Sequence, residues 1–204
     1  MSGNGARKKP ASYEDLLRVP EPFVAEILHG ELYASPRPAL RHATVASVLG
    51  VELGGPFHRG RGGPGGWWIL DEPELHLQKD VVVPDVAGWR RSRLPAIPDA
   101  PFLSMAPDWL CEVLSPSTER MDRASKLSIY AREQVSHVWL INPATETLEV
   151  LALAKGRLTL VATHGGAERV RAMPFEAIEL ELAALWMTDS SSDPLSAPAK
   201  SPQP

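Results

Sequence analysis

Two carboxylates interrupt apolar segments near the middle of the chain. Asp85 follows Pro84 at the end of the apolar run 81–83, and Glu112 lies inside the apolar run 109–114. A buried carboxylate without a partner is costly, so each needs a cation, an arginine or a metal ion beside it. On neighbouring strands the two would place hard oxygen ligands together, as in sites that hold Mg²⁺ with several waters. The alternative is that Asp85 caps a turn and Glu112 pairs with an arginine.

The sequence lacks several common catalytic motifs. It contains no GxxxxGK[ST] phosphate loop and no GxSxG elbow, and the glycine-rich stretch 60–66 does not match GxGxxG. The histidines show no HExxH or paired spacing, so a zinc site would need long-range assembly. Cys111 is the one cysteine, which excludes an intrachain disulfide, and its apolar neighbours indicate a buried, inert thiol.

Length and composition are those of a globular protein. The chain has 204 residues, of which 44% are hydrophobic and 23% charged, enough for one domain with a real core. Its net charge of −4 gives no electrostatic indication of nucleic-acid binding, although a local cleft can still be basic. No window approaches about 18 uncharged apolar residues, and the N-terminus carries no apolar signal core. We therefore expect no membrane insertion and a cytoplasmic location.

The chain is predicted to form one domain between two loose ends. Residues 1–10 and the Ser-, Pro- and Ala-rich tail 189–204 lack hydrophobic periodicity and are predicted to be disordered. The remaining segment, 11–188, shows no internal repeat and no second block that could form a core.

Local signals place helices and strands in the first half of this domain. Ser12 and Asp15 resemble a capping box, which predicts a short helix that ends before Pro20. The segment 23–33 is typical of a hairpin that turns at His29-Gly30. A longer amphipathic helix is predicted over 40–56, ended by Gly54-Gly55-Pro56, and two long strands over 67–77 and 81–89.

The second half predicts the centre of the sheet. The run 109–114 is typical of a buried strand, and a helix is predicted over 121–134. Three strands follow at 138–141, 148–153 and 158–162, separated by turn signals. This order predicts an α/β or α+β fold with a mixed central sheet flanked by helices.

Several segments together resemble a known family. They are Val83-Pro84-Asp85-Val86-Ala87, Cys111 to Thr118, Asp122, Lys126, Tyr130-Ala131-Arg132 and Val138 to Pro143. In order and spacing these segments are similar to the Uma-two family, endonucleases of the PD-(D/E)XK superfamily with a restriction-endonuclease-like fold. Glu26-Ile27 ahead of Gly30-Glu31-Leu32, together with the end of the domain at 182–186, extends the resemblance over nearly all of 11–188.

The resemblance implies a metal-dependent phosphodiesterase acting on DNA. Asp85 and Glu112 take the positions of the metal ligands, and Glu26 matches the additional acid of this superfamily. One or two Mg²⁺ ions, with Mn²⁺ as a possible substitute, would activate water and stabilise the negative charge on the phosphate. A homodimer is plausible because cutting both strands needs two centres or two events, but no interface is visible in the sequence.

The sequence departs from the family pattern at one position. The lysine expected two residues after the glutamate is replaced by Leu114, and Lys126 on the following helix is the candidate substitute. The alternative is that Asp122 and Lys126 form an ordinary exposed i,i+4 ion pair. The missing lysine also favours a second hypothesis, in which the fold is a catalytically inactive module for nucleic-acid or protein binding.

Arginines and tryptophans near these segments raise two further expectations. Trp67 and Trp68 either line a groove where a base stacks or form a strand with one buried and one exposed ring. The arginines would form a modest cradle for phosphates, with a solvated loop as the alternative for 90–93. They are Arg90, Arg91, Arg93, Arg120, Arg123 and Arg132.

Overall fold

The computed structural model of the protein describes residues 9–186. Nearly all of both predicted disordered ends therefore lies outside the described residues. Within 9–186, no helix is long and apolar enough to cross a lipid bilayer.

A six-stranded mixed sheet forms the centre of the fold. Its strand order is β10-β9-β8-β7-β6-β3, in which β7 and β8 are parallel and the other neighbours are antiparallel. The strands are β3 (Trp67–Asp71), β6 (Val86–Arg90), β7 (Trp109–Val113), β8 (His137–Asn142), β9 (Thr147–Ala154) and β10 (Arg157–Gly165).

A smaller, four-stranded sheet packs against the large one. Its order is β2-β1-β5-β4, and its first two strands form the predicted hairpin. His29 and Gly30 turn the hairpin with φ angles of 54° and 83°, the left-handed backbone that a two-residue hairpin turn requires. The strands are β1 (Phe23–Leu28), β2 (Glu31–Pro36), β4 (Leu75–Leu77) and β5 (Asp80–Val82). Two further short strands, β11 (Arg169–Val170) and β12 (Leu180–Glu181), pair only with each other.

Helical segments cover the two faces of the large sheet. They are α1 (Tyr13–Leu16), α2 (Leu40–Leu53) with a π-helical turn Gly54–His58, α3 (Glu119–Met121) continuing through a π-helical turn Asp122–Lys126 into α4 (Leu127–Arg132), and a 3₁₀ turn Leu182–Leu185. The predicted capping box is confirmed, since Ser12 and Asp15 hydrogen-bond reciprocally at the start of α1.

Strand alternation divides the core into two main apolar clusters. Along β7, Trp109 and Cys111 pack with α2 and the C-terminal segment on one face. Leu110 on the opposite face packs with the small sheet and α4. Glu112 follows the same alternation onto the second face. The sheet therefore sends this carboxylate into the space between the small sheet and α4.

The fold class, the hairpin, β7 and the three-stranded meander 137–165 are as predicted, but three predicted elements differ. The two predicted long strands 67–77 and 81–89 are each broken, and their halves belong to different sheets. Prolines at 73 and 84 lie in the breaks, where a ladder donor is missing. The helix predicted over 40–56 is α-helical only to Leu53, and the chain then continues as a π-helical turn to His58 instead of stopping at the glycines.

Candidate active site

Asp85 lies where the chain passes from the small sheet to the large one. It follows Pro84, directly before β6 begins at Val86. One carboxylate oxygen, Oδ2, accepts a hydrogen bond from the backbone N–H of Val113 at 2.6 Å. The other, Oδ1, lies 3.3 Å from Nε2 of His42 on α2. The Asp85 side chain is 15% exposed, so it is held from both sides yet still reaches solvent.

His42 was not among the residues predicted from the sequence. Burial opposes a charge on its imidazole, but the hydrogen bond and the charge of Asp85 outweigh that effect and raise the pKa of His42. The contact joins the start of α2 to the residue before β6, and the spacing of histidines along the chain does not indicate it. His42 therefore fixes the position of the Asp85 carboxylate.

Glu112 is a buried carboxylate with a cationic partner. Its side chain is 3% exposed, and its two oxygens lie 2.8 and 2.9 Å from the Nζ of Lys126. The hydroxyl of Tyr130 also donates to it. Burial raises the pKa of Glu112 well above its ordinary value, Lys126 opposes this, and the neighbouring carboxylates add to it. The partner is thus a lysine and a tyrosine, not the arginine considered from the sequence.

Glu26 reaches the same place from the small sheet. It lies in β1, and its Oε1 accepts from the backbone N–H of Val83 at 2.8 Å. The same oxygen lies 3.0 Å from the Nζ of Lys126. Glu26 in the small sheet and Glu112 in the large sheet therefore pair with the same ammonium, that of Lys126.

Lys126 is the residue at which these groups meet. Its side chain is 3% exposed, and besides Glu26 and Glu112 it lies 3.7 Å from Oδ1 of Asp122 and donates to the carbonyl of Val83 at 3.4 Å. The Asp122–Lys126 pair is buried, so the interpretation as an exposed helical pair is wrong. Burial opposes the charge on Lys126, but the carboxylates outweigh it and raise its pKa well above the ordinary value.

All four predicted site residues line one cavity of about 330 Å³. Glu26, Asp85, Glu112 and Lys126 come from β1, the entry to β6, β7 and the π-helical turn before α4. Arg37, which follows β2, and Glu72, which follows β3, line the same cavity and were missed from the sequence. Elements distant along the chain thus converge on one solvent-connected cleft that holds several charged side chains.

The carboxylates that line the cleft outnumber its cationic side chains. Five carboxylates line it, those of Glu26, Glu72, Asp85, Glu112 and Asp122, against the cations Lys126 and Arg37. Within the described residues 9–186, no group of three or more His, Cys, Asp or Glu side chains is arranged to hold a metal ion by itself. Mg²⁺ is commonly bound through one or two carboxylates and keeps several waters. Asp85 and Glu112 are the two carboxylates of this cleft that would hold such an ion, and the described residues do not form an all-protein cage.

The expected arginine cradle is wrong. Arg123 is bound to Glu149 and Glu119, and Arg132 to Asp80 and Glu133. None of the six predicted arginines lines the cavity; among residues 9–186 its basic side chains are Arg37 and Lys126, with His42 beside them. The remaining four are Arg90 over the ring of Trp67, Arg91 over that of Trp68, Arg93 paired with Asp108, and Arg120 at the surface.

Of the two alternatives for the tryptophans, the strand with one buried and one exposed ring is confirmed in part. Trp67 is buried, but Trp68 is partly buried instead of exposed, with its Nε1 donating to the carbonyl of Leu94, so neither forms a free stacking platform. Cys111 is fully buried, and burial raises the pKa of its thiol well above the ordinary value. Leu114, in the position of the missing lysine, belongs to the core.

Comparisons with known proteins bear on the fold and the family of the chain. A solved structure, that of a putative nuclease belonging to DUF820 from Anabaena variabilis, is similar with a TM-score of 0.65 and 21% identity, covering 87% of this chain and 98% of that one. At this identity the likeness shows the fold. A comparison with the curated proteins gave no match. The family model of Uma2, described as "Putative restriction endonuclease", matches residues 10–184. The chain therefore belongs to the Uma2 family.

Proposed function

We propose that this protein is a Mg²⁺-dependent endonuclease of the PD-(D/E)XK kind that hydrolyses phosphodiester bonds of DNA. The proposal rests on one observation: Glu26, Asp85, Glu112 and Lys126, which are far apart in sequence, line a single cleft. Membership of the Uma2 family supports the same reaction. The cation, which Mn²⁺ can replace, would be held by Asp85 and Glu112.

The protein groups hold the two metal-binding carboxylates in place. His42 and the amide of Val113 fix the two oxygens of Asp85. Lys126 and Tyr130 fix those of Glu112. Preorganised ligands need no reorganisation at the moment of reaction, and the partners that orient them are worth a large part of metal affinity. Bound Mg²⁺ supplies Lewis-acid polarisation of the phosphate and a water of lowered pKa.

In the structure, protein acceptors occupy the ammonium of Lys126, so it is not free to bind a substrate phosphate. An ammonium has three donors, and here Glu26, Glu112 and the carbonyl of Val83 take all of them. To stabilise the pentacovalent phosphate, as we propose, its Nζ must release one of these acceptors. Arg37 at the cavity is the other cation available to the substrate phosphate.

The saturation of Lys126 also favours a second candidate function. If none of its contacts opens, the domain is a catalytically inactive nuclease-fold module that binds nucleic acid or protein. Leu114 in place of the usual lysine points the same way.

Cleavage of supercoiled plasmid distinguishes the two functions. Wild type should nick plasmid with Mg²⁺ or Mn²⁺ and not with EDTA, and both Asp85→Asn and Glu112→Gln should abolish nicking. Matched controls are Asp99→Asn and Glu14→Gln, which neutralise exposed carboxylates outside the cavity. No nicking with either metal, together with no heat of metal binding in calorimetry, would establish the inactive module.

The proposal also includes the cellular location and the oligomeric state of the protein. The buried free thiol of Cys111 suits a reducing compartment, and we propose that the protein acts in the cytoplasm. A homodimer with two centres remains a prediction, for which sedimentation of the full chain is the measurement.

A further inference from the structure

A second cavity, of about 400 Å³, lies beside α2 and the end of β3. Arg59, Arg61 and Asp71 line it, together with glycines of α2 and the following turn. Asp71 is the last residue of β3, and its neighbour Glu72 lines the active-site cavity. The two cavities therefore flank adjacent positions of the chain.

The charged groups of the second cavity are not paired with one another. Among the salt bridges formed within residues 9–186, none involves Arg59, Arg61 or Asp71. Asp71 is an exposed residue, and desolvation beside α2 raises the pKa of its carboxyl. A Cβ at Gly50 would lie 3.1 Å from Oδ1 of Asp71, so the absence of a side chain there leaves room for the carboxylate. Two guanidinium groups and a carboxylate thus face one open space.

This combination selects a class of ligand. Guanidinium groups bind phosphate through paired N–H donors. A carboxylate repels a bare anion but accepts hydrogen bonds from the exocyclic amino group of a base. A group with a phosphate at one end and an amino-bearing base at the other satisfies all three residues. That group is a nucleotide.

The spacing of the cavities fits one strand of nucleic acid. His42 lines the active-site cavity and Gly50 lines the second one, both on α2. Eight helical residues span roughly 12 Å along the axis. Stacked nucleotides advance about 3.4 Å each, so roughly three or four of them cover that distance.

We propose that the second cavity is a nucleotide subsite, in which Arg59 and Arg61 bind a backbone phosphate and Asp71 binds an amino-bearing base, three or four nucleotides from the bond to be cut. This inference rests on the proposed function for the position of the strand. The subsite itself depends only on the residues of the second cavity.

Binding of two labelled single-stranded octanucleotides, oligo(dC) and oligo(dT), tests the subsite in EDTA, where no cleavage occurs. Cytosine has the amino group and thymine does not. Wild type should bind oligo(dC) roughly tenfold more tightly, the value of one hydrogen bond to a charged group. Asp71→Ala should abolish that preference. Arg59→Ala/Arg61→Ala should weaken both oligonucleotides equally, roughly fivefold at 0.1 M salt for one phosphate contact on a single strand.

Controls separate the subsite from general charge and from the active site. Arg18→Ala/Arg157→Ala removes two exposed arginines outside both cavities and should change neither affinity. Unchanged affinity in the Arg59/Arg61 variant, or an unchanged dC preference in Asp71→Ala, overturns the subsite. Competition by cytidine monophosphate as strong as that by oligo(dC) identifies a free-nucleotide site and overturns the strand subsite. Plasmid nicking can fail while these differences persist, so the proposed function and the subsite fail separately.

Discussion

Replacing Lys126 with methionine removes the one charge shared by the buried carboxylates. The Nζ of Lys126 lies 2.8 Å from Glu112 and 3.0 Å from Glu26, and the side chains of all three are at most 7% exposed. Breaking a buried ion pair by removing one partner costs about 3–5 kcal/mol, because the other charge stays buried without compensation. Methionine keeps the length of the side chain, so little packing is lost. We therefore expect Lys126→Met to lower the free energy of unfolding by about 3–5 kcal/mol at pH 8.

The loss should shrink as the pH falls. The pKa of Glu112 in the folded protein is above its unfolded value, so the native state binds more protons and stability falls as pH rises between the two values. Without the ammonium, the pKa of Glu112 rises further, and this effect becomes larger. At pH 5 more of the carboxyl is protonated and the missing cation matters less. The difference between variant and wild type should therefore be smaller at pH 5 than at pH 8.

Urea denaturation of the metal-free protein in EDTA measures both effects. The control is Lys126→Met/Glu112→Gln, in which the neutral amide still accepts from Tyr130. It should regain about 2 kcal/mol over Lys126→Met at pH 8. A loss below about 1 kcal/mol that is the same at both pH values would refute the reasoning, since exposed pairs behave in that way.

Three other substitutions test stability by independent routes. Asp122→Asn removes a carboxyl whose pKa is raised from 3.8 to about 6. Because of that carboxyl, wild type loses stability as pH rises from about 4 to 6. Urea denaturation at pH 4 and pH 8 should therefore show that the variant gains up to about 3 kcal/mol of unfolding free energy relative to wild type at the higher pH. Arg132→Met leaves the fully buried Asp80 without the guanidinium 2.8 Å away, and calorimetry should show a loss of about 3 kcal/mol. Gly88→Ala places a Cβ 3.2 Å from the ring of Trp109; thermal denaturation should show a loss of about 1–3 kcal/mol, and an unchanged Tm would mean that the core accommodates the methyl group.

Much of the central sheet could be predicted because its signals are local. The meander β8 to β10 follows from apolar runs separated by turn residues, and β7 from a continuous apolar run. Glu112 stood out because a charge inside such a run needs a partner. Each of these inferences needs only residues close together in sequence.

The partners of the site residues could not be predicted in the same way. Asp122 and Lys126 have the spacing of any surface ion pair, and their burial depends on the hairpin that brings Glu26 over them. The contact between His42 and Asp85 joins α2 to the start of β6, more than forty residues farther along the chain. The division of the strands into two sheets likewise depends on tertiary packing, which periodicity does not encode.

The bridging position of Lys126 has a consequence for synthesis. Glu26 belongs to the small sheet and Glu112 to the large one, and the ammonium that joins them lies farther along the chain than either. Because a protein is made from its N-terminus, the ribosome releases both carboxylates before their common partner. The cleft cannot assemble until the segment through α4 has emerged, so an unfinished chain carries the acids without the lysine that pairs with them.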